Sequence, residues 1–131
     1  MDAENIKNQE IKNHINMIYL HEENGNEEKI IKEREALKES LSKSTFISVK
    51  EDGKFVKIPY GLEDKYLIPI FLDLREFERG IEYFRLNEMD KNKEMTVETV
   101  DSYKKIKEDP NFLGFVVDIA NLNYSIDADL I

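Results

Sequence analysis

The residues whose spacing comes nearest to a known chemistry lie between 90 and 101, in DKNKEMTVETVD. Counted as a calcium loop, Asp90, Asn92, Glu94, Glu98 and Asp101 place oxygen side chains at ligating positions, and Val97 takes the apolar eighth. Two departures stand against it. Met95 holds the sixth position, where glycine makes the sharp turn, and Asp101 is one methylene shorter than the glutamate that binds calcium through both oxygens. The segment is a calcium-loop candidate only, beside its plainer reading as an acidic surface loop running into a helix.

Other chemical groups are sparser. His14 and His21, seven residues apart, share a helical face with Glu10 one turn before His14. A metal site needs a third or fourth ligand that the sequence does not place, so both histidines are expected to pack beside Ile11, Ile15 and Ile18. Asp64, Asp73, Glu76 and Glu78 could furnish a carboxylate pair for acid and base chemistry. In so acidic a chain their proximity is expected by chance, and Asp73 already reads as a helix cap. Ser40, Ser42, Ser44 and Ser48 sit in no nucleophile elbow, and the five glycines form no phosphate loop. There is no cysteine, which excludes disulfides and thiolate chemistry and fits a reducing compartment. No enzyme, metal or cofactor is expected.

Charge narrows the partners. The net charge of -9 opposes a phosphate backbone, because nucleic-acid affinity rests on Lys and Arg replacing counterions. The lysines are mixed with glutamates along KNQEIKNH, EEKIIKEREALKES and YKKIKED, as on solvated helix faces, so no basic patch is expected. No apolar run approaches the roughly 20 residues of a membrane span, and MDAENIKNQE lacks a secretory apolar segment. A cytoplasmic protein is expected. At 131 residues one domain with a substantial core is expected.

The elements that must position these groups centre on YLIPIFLDLREFERGIEYF, from Tyr66 to Phe84. Tyr66 to Phe71 reads as a strand covered on both faces, with Pro69 either at an edge or turned from its neighbour. Asp73 and Glu76 have capping-box spacing, and Leu74, Phe77, Ile81 and Phe84 fall on one helical face. Tyr60, Tyr66, Phe71, Phe77 and Phe84 are expected to build the core. Upstream, a helix from Glu4 to about His21 ends at Asn24 to Asn26, and a second, EEKIIKEREALKES, turns Ile30, Leu37 and Leu41 to one side. Thr45 to Val49 and Lys54 to Ile58 alternate around an Asp-Gly turn, predicting a hairpin that continues to Tyr66 as a three-stranded meander. Downstream, Val97, Val100, Tyr103 and Ile106 predict another helix, FLGFVVDI a central strand, and NLNYSIDADLI a short strand or a helical turn.

The region from about Glu28 to Leu130 resembles the SseB-like family of bacteria. The residues that carry this are EEKIIKEREALKES before TFISV, then YLIPIFLDLREFERGIEYF, then FLGFVVDIANLNYSID. The second is similar to the family's strand ending in Pro-x-Phe and running into a capped helix. Leu72 and Asp73 replace the usual Thr or Ser after the Phe, and Asp118 to Asn121 replaces the closing Asn-Pro. The resemblance implies a small α+β module and carries over no catalytic residue.

The expected fold is thus α+β, an antiparallel or mixed sheet of four to five strands with two N-terminal and two later helices packed on it. Residues 1–26 form a helix and turn, and 27–131 the SseB-like domain, in one globular unit. The expected function is that of a non-enzymatic bacterial protein acting through protein contacts, its acidity suiting a basic-surfaced partner. Alternatives are a small-ligand or metal-binding protein, using the Asp90 loop or a pocket beside Phe71, or an acidic immunity-type protein masking a basic toxin.

Overall fold

The computed structural model describes residues 5–61, 63–84 and 93–130. Two helices come first. α1 (Gln9–Glu23) buries Ile11, Ile15, Ile18 and His21, the face its apolar spacing dictates. Asn8 precedes it with φ +45° and gives its side chain elsewhere: Nδ2 donates to the carbonyls of Thr45, at 2.7 Å, and Leu72, at 2.9 Å. After the Gly25 turn, Asn26 caps α2 (Glu27–Ser42) by accepting the Lys29 N–H. Leu37 and Leu41 are its buried residues.

The strands form two sheets instead of one sheet of four to five. β1 (Phe46–Glu51) lies between β2 (Lys54–Phe55) and β5 (Lys93–Glu98), antiparallel to both. The second sheet has the order β3 (Ile58–Pro59), β4 (Tyr66–Ile70), β6 (Phe112–Val117), β7 (Tyr124–Asp127). Its β4 and β6 are parallel and its other pairs antiparallel. Ile47 and Phe71 join the sheets by exchanging two backbone hydrogen bonds of 2.8 Å. The class is α+β, and β6 is internal as expected.

The three-stranded meander does not form. The expected strand from Lys54 to Ile58 breaks at Val56 and Lys57, and its halves go to different sheets. Pro69 is accommodated by that break. Odd residues of β4 turn their backbone groups toward β3, which pairs only as far as Leu67, and Phe71 is next taken by Ile47. The Pro69 nitrogen falls in the gap, where no donor is needed.

The expected helix from Val97 is also revised. Val97 belongs to β5, and the helical part is two 3-10 segments, Val100–Tyr103 and Ile106–Glu108. Spacing of three suits a 3-10 turn as well as an α-helix. The tail forms both of its expected alternatives, β7 and then a 3-10 turn at Ala128–Leu130.

Side-chain alternation along β1 divides the core. Phe46 joins Ile11, Ile15, Leu37, Tyr103 and Phe115 on the α1–α2 face. Ile47 and Val49 join Phe71 on the face covered by α3 (Leu74–Phe84), where Leu74, Phe77 and Ile81 pack. α3 approaches closely because Gly80 lies on Phe71, where a Cβ would stand 2.1 Å from the ring. The side chain of Phe84 falls outside the described residues. Tyr60 does not build the core: it follows β3 and is 58 % exposed.

Candidate functional site

The β1–β2 hairpin carries out what its Asp-Gly pair predicts. Asp52 and Gly53 have φ of +52° and +81°, and Glu51 pairs with Lys54 across the two-residue turn, the geometry of a primed hairpin turn. This turn projects Lys50, Lys54 and Phe55 together. The break after β2 adds Lys57, and the turn between the two 3-10 segments brings Lys105 to the opposite wall. Together they line a cavity of about 510 Å³, with Tyr66, Ile68, Ser102, Ile106 and Asp109.

Aromatic rings fix two of the lysines. Lys50 Nζ stands 4.8 Å from the centre of the Phe55 ring, its cross-strand partner, and Lys57 Nζ 4.5 Å from that of Tyr66. Each is a cation held by a ring's negative face. Phe55 is backed by Tyr103, stacked at 4.4 Å, which contacts Phe46 and Phe115 in turn. The pocket floor is therefore continuous with the core. Lys50 also lies 3.9 Å from Glu98, whereas Lys54 and Lys105 have no ion pair among the described residues.

Asp109 is the one carboxylate in the lining. The Asn111 N–H, the Tyr66 hydroxyl and nearby Lys57 hold its carboxyl below the usual range, so it is ionised at neutral pH. Burial, followed by the bond to Asp109, pushes the Tyr66 phenol up to about 12 and keeps it a donor. The lining thus carries four ammonium groups against one carboxylate. This overturns the expectation of no basic patch: the sequence separates Lys105 from Lys57, and only the fold brings them together.

The residues singled out by sequence lie elsewhere. Of the calcium-loop candidate, Asp90 and Asn92 fall outside the described residues. Glu94 and Glu98 are on β5, Glu94 in register with Lys50, and Asp101 bonds Lys104 at 2.8 Å. Among the described residues no three His, Asp or Glu side chains gather as a metal site would require. His14 is 2.5 Å from Glu33 on α2 and 3.6 Å from Glu10, and His21 is buried. Asp64 and Glu78 are exposed. Phe71 is wholly buried against α3 and Ile47.

The expected capping box is half formed. Asp73 Oδ1 accepts the Glu76 N–H at 2.8 Å, but Glu76 does not reciprocate. Its carboxylate turns inward, 3 % exposed, and accepts from Asn121 Nδ2 and from Arg79, each at 3.1 Å. Nearby Asp118, fully buried at φ +46°, accepts the Leu72 N–H at 2.9 Å. Burial, with Glu76 and Asp73 adding negative charge, pushes its carboxyl up to about 7. These carboxyls hold the ends of β4 and β6 together, opposite the lysine pocket.

The chain matches no family model, no curated protein and no solved structure. Among the described residues no helix is long and apolar enough to cross a membrane.

Proposed function

We propose that this is a non-enzymatic binding protein whose site is the lysine pocket, occupied by the anionic part of a small ligand. The supporting observation is the convergence of four lysines and one aspartate around about 510 Å³ in a chain of net charge -9. Like charges brought together repel, and an anion among them relieves that repulsion while the low-dielectric aromatic floor strengthens its attraction. The volume is within the range of small-molecule sites. Titration with inorganic pyrophosphate, followed by amide resonances, tests this: shifts confined to about 50–57 and 102–109 support it. Shifts absent there contradict it.

A second reading, contact with a protein partner, is favoured by α1, which leaves Met17 and Leu20 38 % and 46 % exposed three residues apart. Glu22 and Glu23 follow them, so the complement is a basic surface, of which a nuclease toxin masked by an immunity-type protein is one form. A partner released by Met17→Ser with Leu20→Ser supports this face, and equal retention contradicts it. The SseB-like assignment and a bacterial, cytoplasmic setting are proposals of the same kind. The first is supported by EEKIIKEREALKES, YLIPIFLDLREFERGIEYF and FLGFVVDIANLNYSID in that order, the second by the lack of cysteine.

A further inference from the structure

We infer that the ligand of the lysine pocket is a nucleoside diphosphate or triphosphate. This rests on the anion-binding reading above and adds the ligand's class. Three features of the lining carry it.

The first is the kind of cation. Every basic residue there is a lysine and none is an arginine. The arginine fork holds carboxylates and phosphates alike in one plane, whereas ammonium groups act as point charges with no preferred plane, and several of them suit phosphate oxygens spread over several positions. The lysines come from β1, β2, the break after β2 and the 3-10 turn, so they surround a charge distributed along a chain of phosphates.

The second is room. A water needs roughly 10–15 Å³ in such a cavity, so about 510 Å³ far exceeds what one oxyanion fills. The remaining wall includes apolar side chains: Phe55 and Ile106, both partly buried, offer a surface for an uncharged body attached to the anion.

The third is Asp109. An ionised carboxylate in a site for a simple anion only weakens it. In a site for a nucleotide it accepts hydrogen bonds from ribose hydroxyls or an exocyclic amine. Tyr66 and Asn111 already hold it in place.

The test is calorimetric titration with ADP, GDP, CDP and UDP, against AMP, pyrophosphate and citrate at matched ionic strength. At least one diphosphate is expected to bind ten-fold or more tighter than pyrophosphate and citrate. Lys54→Gln with Lys105→Gln, both at exposed positions, should abolish binding of all. Asp109→Asn, shown to be folded by circular dichroism, should weaken the nucleoside diphosphate and leave pyrophosphate equal or tighter. If pyrophosphate and citrate bind as well as every nucleoside diphosphate, the inference fails and the anion reading stands. If no anion binds, both fail.

Discussion

The Tyr66 hydroxyl donates to Asp109 Oδ2 at 2.8 Å, tying the first residue of β4 to the turn before β6. The backbone repeats the connection two residues further along that turn, since the Tyr66 N–H donates to the Asn111 carbonyl at 2.9 Å. One wall of the lysine pocket is thus held by the start of the parallel pair. Tyr66→Phe keeps the ring under Lys57 and removes only the bond. It is expected to lower the melting temperature by a few degrees and leave the fold intact. Because the phenol ionises near 12, this loss should be equal at pH values of about 6 and about 9. A loss that vanishes at the higher value would contradict the assignment.

Asp118 makes stability depend on pH in the direction opposite to an ordinary salt-bridged acid. Between 3.8 and about 7 the folded chain keeps its proton while the unfolded chain has released it. Its contribution is therefore full below 3.8 and is lost as pH rises to about 7. Asp118→Asn preserves an acceptor for the Leu72 N–H and removes the titration. Urea unfolding at both ends of that window should show the variant losing less stability on going up than the natural chain. Equal slopes would show that Asp118 is not the source of this pH dependence.

Two glycines separate overpacking that can relax from overpacking that cannot. In Gly80→Ala the new methyl meets the Phe71 ring, itself pinned edge-on by Phe77 at 5.5 Å. The helix gains about 1 kcal/mol from alanine, against roughly 1–3 kcal/mol for overpacking, so a net loss on the order of 1 kcal/mol is expected. In Gly114→Ala the methyl would stand 1.9 Å from the Ile126 carbonyl oxygen at φ +143°. Backbone there is fixed by the β6–β7 ladder, so the loss should be larger and the pairing itself should open. Denaturant midpoints rank the two variants, and the reverse order would contradict the packing described.

The sequence carries its local signals well and its long-range convergences poorly. Ile11, Ile15 and Ile18, the Asp52-Gly53 turn and the Asp73 cap each rest on neighbours within a few residues, and each element forms. Val97 was legible as apolar but not as strand, because its partner Ile47 lies on the distant β1 and spacing of three fits both readings. The break at Val56 and Lys57 has no turn residue to announce it, as competition between two sheets causes it. Glu76 fitted a capping box, yet Asn121 on a later turn draws its carboxylate inward. The lysine pocket was hidden for the same reason: Lys50, Lys54 and Lys57 alternate with neutral and acidic residues, and Lys105 joins them only through the fold.

The most direct measurement is thermal unfolding of the natural chain and of Lys54→Gln with Lys105→Gln, each with pyrophosphate and with chloride at equal ionic strength. A ligand present at about 100 times its Kd stabilises the folded state by roughly 2.7 kcal/mol. Pyrophosphate is expected to raise the melting temperature of the natural chain by several degrees beyond chloride, and the double variant to lose this difference. The same pyrophosphate effect in both proteins, or none in the natural chain, would contradict the lysine pocket as the binding site.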